Sequence, residues 1–272
     1  MLLRRLKGAV KMKRRILSVL LMLCLVLTTV AVLASCGRVE KTLEKAMEKT
    51  EALEEFEIEM RQVSTVEVQG QKQKVALTTN MKVKDAKSDN PTIWMEIEIE
   101  MGGEKQTTEM YIEDGWMYMA YGDSGYKAKL EDIGEDEDDY LAQVDNIVKE
   151  LPEDVLKSAE YEREDGKKII TATIDGKLMD DLFEELIDEA LAGYGYDDDL
   201  LEELSISFDD AEVEIEIKDG YIFSYELDYD MDIEVMGETA ESDNTVKIKY
   251  IDPGEAVSIT PPKGYQNFSE MN

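Results

Sequence analysis

The sequence contains no histidine and only two cysteines among its 272 residues. Without histidine, Ser-His-Asp and Cys-His catalysis are excluded, and the commonest zinc ligand is missing. Cys24 lies within an N-terminal apolar run, and Cys36 follows that run. If the chain is cut before Cys36, no disulfide can form within it, and the hydrophobic core must stabilise the fold.

Basic residues are scarce, with 30 Lys and Arg against 63 Asp and Glu and a net charge of −33. This balance argues against binding nucleic acid, which requires Lys and Arg to replace counterions. It also argues against docking flat on anionic lipid head groups. We interpret the acidic residues mainly as a solvated surface that disfavours close self-association, so the sequence predicts a monomer.

The densest acidic segments, residues 136–139 and 197–199, lack the spacing and the glycine of an EF-hand loop. Carboxylates that alternate along a strand spread outward and do not converge on one cation. We therefore expect no metal site and no cofactor. A hydrolase that uses two carboxylates in one cleft remains an open alternative, but no such pair stands out, and we do not expect an enzyme.

The N-terminus combines a basic segment, an apolar run and small residues before a cysteine. Residues 1–15 carry seven Lys and Arg and no acid, and residues 16–33 are almost wholly apolar. This order is typical of a signal peptide, with Met12 as a second possible start. A retained transmembrane helix is the alternative, because the run has about the ~18 residues at which spanning becomes possible.

The stretch Leu33-Ala34-Ser35-Cys36 resembles the lipobox of bacterial lipoproteins. That resemblance implies cleavage before Cys36 and a palmitate-type diacylglyceryl group on its sulfur, and two acyl chains give stable anchoring. We expect residues 1–35 to be a signal peptide with a lipobox and 36–39 a lipidated tether. We expect residues 40–272 to form one domain, because no Pro/Ser/Gly-rich linker follows the cysteine. The expected location is the extracytoplasmic face of the cell membrane.

Beyond Cys36, the spacing of apolar residues predicts one helix and then many strands. Residues 39–53 have an apolar stripe at helical spacing. From Phe56 onward apolar and acidic residues alternate, most clearly over residues 225–235, which predicts strands with one buried face. Asp-Gly and Gly-Gly pairs between the runs predict hairpin turns. We expect about eleven antiparallel strands, since parallel sheets rarely face water on one side.

Two further apolar stripes, over residues 140–151 and 178–191, predict helices within this series, and residues 200–204 suggest one more helical turn. The order is then helix, about six strands, helix, two strands, helix and three strands. The predicted fold class is α+β. A long antiparallel sheet curls into a half-barrel, and helices pack on its concave apolar face, either tightly or around a cavity.

These features together resemble the LolA/LppX-type lipoprotein fold. The hairpin Asp114-Gly115-Trp116 and the ending over residues 246–265 also resemble uncharacterised lipoproteins of Gram-positive bacteria. The resemblance implies that the half-barrel and its helices enclose an apolar cavity that holds acyl chains. Cys36 is the one functional residue that the resemblance carries over, and the cavity arginine of the Lol carriers has no counterpart that can be aligned.

Candidate ligand-binding residues lie on two strand-like runs rich in flexible or aromatic side chains. They are Met95, Ile97, Ile99, Met101, Leu227, Tyr229, Met231 and Ile233. Thioethers adapt to irregular apolar ligands, although ordinary core packing explains the same pattern. The aromatic residues of one hairpin either rim a pocket mouth or pack across strands; they are Trp116, Tyr118, Tyr121 and Tyr126.

The function expected from these observations is that of a membrane-anchored lipoprotein that binds an apolar or lipid-like ligand between sheet and helices. The alternative is a structural or interaction lipoprotein whose acidic sheet face binds a cationic or cell-wall partner. The expected partners are the membrane, through the lipid on Cys36, and the ligand.

Overall fold

A computed structural model describes residues 38–88, 90–122, 124–133, 159–180, 204–235 and 238–270. The predicted signal peptide, Cys36 and the predicted helix over residues 140–151 lie outside the described residues. So does most of the predicted helix over residues 178–191, although residues 176–180 are helical.

The first part of the chain contains one helix, six strands and one short helix. They are α1 (Arg38–Glu51), β1 (Phe56–Val68), β2 (Gln71–Lys84), β3 (Thr92–Met101), β4 (Glu104–Glu113), β5 (Trp116–Tyr121), β6 (Ser124–Lys129) and α2 (Leu130–Ile133). The rest of the described chain is almost entirely strand. Its elements are β7 (Glu160–Glu164), β8 (Lys167–Ile174), β9 (Leu204–Phe208), β10 (Ala211–Lys218), β11 (Tyr221–Val235), β12 (Glu238–Ile251), a 3-10 turn (Tyr265–Asn267) and β13 (Ser269–Glu270).

All the strands belong to one thirteen-stranded sheet, in the order β13-β6-β5-β4-β3-β2-β1-β12-β11-β10-β8-β7, with β9 paired to β11. Every pairing is antiparallel except that of β13 with β6. The sheet therefore consists of two meanders, β1–β6 and β7–β12, which are joined along the long pairing of β1 with β12. The predicted class, a large open curled antiparallel sheet with few helices, is confirmed.

The predicted count of about eleven strands was too low. The sheet also includes β9, where Leu204 had been assigned to a helical turn, and the two-residue β13, where an irregular tail was expected. Both strands are short, and each depends on a partner that is distant in sequence, namely β11 or β6. A local apolar pattern cannot reveal such pairings.

The predicted hairpin turns are present because their residues tolerate positive φ angles. Asp114, Asp165 and Asp219 have φ angles of 53°, 49° and 54°, and the glycine after each also has a positive φ. Two successive left-handed residues give the turn twist that matches antiparallel strands. Gln69-Gly70 forms the same kind of turn between β1 and β2.

Helix α1 packs against β11, and two hydrogen bonds, to Ile222 and Asp219, attach its last turn to the sheet. The Thr50 hydroxyl donates to the Ala46 carbonyl at 2.7 Å and accepts from the backbone N–H of Ile222 at 2.9 Å. The Lys49 ammonium donates to the Asp219 carbonyl at 2.7 Å. These bonds attach the helix to the turn between β10 and β11, with its apolar residues Leu43, Ala46 and Met47 buried.

The C-terminal tail covers the opposite face of the other meander. The Tyr265 ring packs edge-on against Tyr111 and Tyr118, with ring centres 5.4 and 4.9 Å away. Phe268 lies directly over Gly125 of β6, where an added Cβ would be 2.3 Å from the ring. Gly125 is therefore required by this close approach.

Candidate functional site

The sheet has one apolar face, and the strand register defines it. Across five adjacent strands, the residues directly opposite one another are Leu77, Gln62, Val246, Leu227 and Val213. Residues that pair across neighbouring strands point to the same side. We call this side the inner face; the opposite, outer face carries most of the acidic residues of the strands.

The eight predicted ligand residues all lie on the inner face, in two separate groups. Met95, Ile97, Ile99 and Met101 lie on β3 and are half-buried. Leu227, Tyr229, Met231 and Ile233 lie on β11 and are buried. Strands β2, β1 and β12 lie between the groups. At about 4.8 Å per strand the groups are about 19 Å apart along the sheet.

A row of four methionines crosses the half-buried part of the inner face. Met81 on β2 lies opposite Met95, which lies opposite Met110 on β4, which in turn lies opposite Met119 on β5. Met81 is 5 % exposed, and the other three are partly buried against the edge of the core. We call these four residues the methionine row.

The sequence pattern identified Met95 but not its alignment with the other three. The face to which a side chain points follows from its position within its own strand. The register of four strands, in contrast, depends on turn lengths and on pairing across the sheet. The methionine row is thus an apolar, adaptable surface at one side of the core.

The four aromatic residues of this hairpin, for which the sequence allowed either a pocket rim or packing across strands, are divided between the two faces. Trp116 and Tyr118 lie on the outer face, where the Trp116 ring centre is 5.2 Å from the Lys127 ammonium. Tyr121 and Tyr126 lie on the inner face and are 53 % and 47 % exposed. Tyr126 is opposite Met119 and extends the methionine row to the edge strand. The four therefore do not form a single rim, because Trp116 and Tyr118 are an odd number of positions from Met119 and lie on the other face.

Polar side chains interrupt the inner face where β1 pairs with β12. Gln62, Ser64, Ser242 and Asn244 are 1–3 % exposed. The Ser242 hydroxyl donates to Asn244 Oδ1 at 3.0 Å, and Asn244 Nδ2 donates to the Ser242 carbonyl at 3.1 Å. The Gln62 amide has no hydrogen-bond partner in the described part of the chain.

Sequence analysis missed this polar group, although β1 carried a signal for it. At the inward positions of β1 the series runs from Met60 through Gln62 and Ser64 to Val66. Two polar residues in a row at buried positions break the expected alternation.

Tyr225 adds a second buried polar group to the inner face. Its hydroxyl also has no hydrogen-bond partner among the residues that the structure describes. Burial raises the pKa of Tyr225 well above its usual value, so the hydroxyl stays protonated and neutral.

The outer face carries an acidic pocket of about 360 Å³ at the junction of β1, β12, β11 and β9. We use the name acidic pocket for its charged lining, which is Glu67, Lys72, Asp209, Asp230, Asp232, Glu241 and Asp243. Burial raises the pKa of Asp230 above its usual value, and the charges of Asp243 and Asp209 raise it further. No group of three or more acidic or cysteine side chains in the described ranges is arranged to hold a metal ion.

The family of unknown function DUF6612 matches residues 38–265. The chain belongs to this family. The matched range begins at the first residue of α1 and ends at Tyr265, before β13. It therefore contains twelve of the thirteen strands. No curated protein sequence matches the chain.

Several solved structures are similar in shape at low sequence identity. LprF from Mycobacterium bovis is 14 % identical, with 82 % of this chain and 96 % of that chain covered, at a TM-score of 0.41. A DUF1329 family protein from Desulfovibrio piger is 9 % identical, with coverages of 81 % and 96 %, at a TM-score of 0.25. The ywiB protein from Bacillus subtilis is 9 % identical, with coverages of 72 % and 93 %, at a TM-score of 0.20.

Within the described ranges, no helix is both long and apolar enough to cross a membrane.

Proposed function

We propose that this DUF6612 protein is a lipid-anchored extracytoplasmic protein that binds an apolar or lipid-like ligand on the inner face of its sheet. The observation that carries the proposal is the methionine row. Met95, Met110 and Met119 are apolar, adjacent and only partly buried, and they lie beside the buried core. Contiguous apolar surface of this kind is typical of a ligand-binding groove.

The proposed mechanism is burial of acyl chains along the methionine row. Each methylene group removed from water contributes about 0.8 kcal/mol, and unbranched thioethers adjust to chains of different shape. Tyr121 and Tyr126 lie exposed at the end of the row, where the ligand would enter. The activity proposed is binding by a monomer, without catalysis.

The anchor belongs to the same proposal. Cys36 lies two residues before Arg38, the first residue of α1. A diacylglyceryl group on Cys36 would therefore hold the first residues of α1 close to the membrane surface. A ligand drawn from that membrane would have a short path to the sheet.

Native mass spectrometry tests the proposal directly. The protein is produced from the full 272-residue sequence and purified in lipid nanodiscs without detergent. The intact complex is then released for mass measurement, and a second sample is extracted with organic solvent. We expect an additional mass that solvent removes. A protein that carries no added mass and that fails to bind fluorescent fatty acyl probes would overturn the proposal.

Paired variants on β3 locate the site. Met95 faces inward and Glu96, the next residue, faces outward. Met95→Gln places an amide in the methionine row and is expected to reduce the bound mass several-fold. Glu96→Gln places the same side chain on the outer face and is expected to leave it unchanged. An equal effect of both variants would count against an inner-face site.

A second candidate function rests on the acidic pocket. Six carboxylates surround a volume of about 360 Å³ with a single lysine, which forms an ion pair with Glu67 at 3.3 Å. This surface suits a cationic or cell-wall partner. Retention of such a partner that falls steeply with salt would favour this function, whereas retention independent of salt would exclude it.

A further inference from the structure

The most unusual side chain on the inner face is Gln62, at the centre of β1. It is 2 % exposed, and neither its Nε2 nor its Oε1 has a hydrogen-bond partner in the described residues. Its register partners on either side are Leu77 and Val246, which are both apolar and buried. A buried amide with no partner loses its hydrogen bonds to water and gains none in return.

Tyr225 is a second group of the same kind on the same face. It is 8 % exposed, and its hydroxyl also lacks a partner among the described residues. It lies on β11, two strands from β1, which is about 10 Å along the sheet. Tyr225 is opposite Ile248, the next inward position after Val246, which itself lies opposite Gln62. The two groups therefore lie on one buried face, with their residues separated by about 10 Å across the strands and about 7 Å along them.

The chemistry around these two groups is neutral. The buried polar side chains of the described residues are all uncharged: Thr50, Gln62, Ser64, Thr79, Ser224, Ser242 and Asn244. Burying an ionised group beside them would cost far more than its hydrogen bonds return, since none of the buried side chains in the described ranges carries an opposite charge to compensate it. An uncharged group that both donates and accepts hydrogen bonds carries no such cost.

We propose that Gln62 and Tyr225 bind the uncharged polar end of the ligand, which is a hydroxyl, ester or amide and not a carboxylate, phosphate or ammonium. This inference rests on the proposed function, because the rest of the ligand lies on the methionine row. The amide supplies two donors and one acceptor, and the phenol supplies one of each.

The spacing of the two parts suits an acyl chain. Ile58, which continues the methionine row on β1, lies four residues before Gln62 on the same strand. That separation is about 13 Å, so a chain of about a dozen carbons spans it. The ligand class is an amphiphile with a neutral head that reaches the middle of the sheet and a chain that runs toward Met81 and Met95.

Photo-crosslinking with a matched probe series tests the inference. Five probes share a dodecyl chain with a diazirine and an alkyne, and they end in a methyl, a hydroxyl, an acetamide, a carboxylate or a trimethylammonium group. They are applied to membranes that contain the protein produced from the full sequence. Labelling of peptides within residues 38–270 is then measured by mass spectrometry.

In the wild type we expect the hydroxyl and acetamide probes to label these peptides at least fivefold more than the two charged probes. Gln62→Met keeps the side-chain length but removes the hydrogen-bonding groups, and Tyr225→Phe removes one hydroxyl. Each variant is expected to reduce the preference to within about twofold and to leave labelling by the methyl-ended probe unchanged. Tyr111→Phe, the same change at a buried tyrosine of the outer face, is the control.

The outcomes separate the two proposals. Labelling by the methyl-ended probe with no preference among the polar ends, or a preference that both variants retain, would overturn the inference and leave the proposed function intact; buried water would then be the partner of Gln62. Failure of every probe to label these peptides would overturn the proposed function, and the inference with it. Unchanged thermal melting of Gln62→Met and Tyr225→Phe shows that a lost preference is not a loss of fold.

Discussion

The two meanders of the sheet have similar strand arrangements, but they bury their inward side chains to different extents. In β7–β12 the inward residues Ile170, Ile215, Ile217 and Leu227 are each 1 % exposed. In β1–β6 the corresponding positions of β3–β5 include Met95, Met110 and Met119, which are only partly buried. The first set is mostly β-branched and stiff, and the second is unbranched and mobile. The partly buried apolar surface therefore lies within β3–β5 of the first meander, whose other inward residues, such as Ile93 and Ile112, belong to the same buried core as the second meander.

The same truncation in both meanders tests this difference in burial most directly. Ile215→Ala removes a fully buried side chain, and we expect a loss of about 3 kcal/mol in the free energy of unfolding. Ile97→Ala lies on the same face where β3 is half-buried, and we expect a loss of about 1 kcal/mol. Urea denaturation of the two variants measures the difference. Equal losses of stability would mean that Ile215 and Ile97 are equally buried.

The attachment of α1 gives the next largest effect. Thr50→Val keeps the shape of the side chain but leaves the buried backbone N–H of Ile222 without its acceptor. We expect about 1–2 kcal/mol of lost stability and faster hydrogen exchange at Ile222. Lys49→Met, which removes an exposed bond to the Asp219 carbonyl, is the control and should cost less. A Thr50→Val protein as stable as the wild type would show that α1 does not help to close the β7–β12 meander.

The contact of the tail with β6 should show strong coupling between its two residues. Gly125→Ala inserts a methyl group where the Phe268 ring lies 2.3 Å from the ideal Cβ position, so the tail must move. We expect a loss of about 1 kcal/mol and faster hydrogen exchange at residues 268–270. Phe268→Ala removes the ring, and Gly125→Ala should then have little further effect. Additive losses in the double variant would contradict the contact.

The smallest expected effect concerns the acidic pocket. The pKa of Asp230 is raised in the folded state, so its ionisation opposes folding at neutral pH, and stability is regained as the pH falls through that pKa. Asp230→Asn should therefore stabilise the protein at pH 7, by less than about 1 kcal/mol because solvent screens the charges. The gain should shrink as the pH falls through the raised pKa of Asp230 and should be absent below the usual Asp pKa. Glu212→Gln, which removes an exposed carboxylate outside the pocket, is the control in the same thermal melts.

Much of the fold could be predicted because it depends on local pattern. Alternation assigns each residue of β3 or β11 to a face without knowledge of its neighbours, so all eight predicted ligand residues fall on the inner face. Asp-Gly pairs such as Asp219-Gly220 mark hairpins because they accept positive φ angles. These features require no information about which strand lies next to which.

What could not be predicted depends on pairing between distant segments. The methionine row exists only because the registers of β2 to β5 bring four residues opposite one another. β9 is a strand because β11 is long enough to accept it beside the main path. The apolar flanks of Gln62, Leu77 and Val246, are likewise set by the register of β1 with β2 and β12. Each of these facts is set by tertiary structure and not by composition.

The pairing of β1 with β12 also determines when the protein can finish folding. The hairpins of each meander can form as soon as their own strands are available, but the two meanders are joined by twelve residue pairs that link Glu57 to Ile251 and Val68 to Ala240. Contacts between such distant residues form slowly. The sheet therefore stays in two pieces until almost the whole chain has emerged, whether from the ribosome or from a membrane channel.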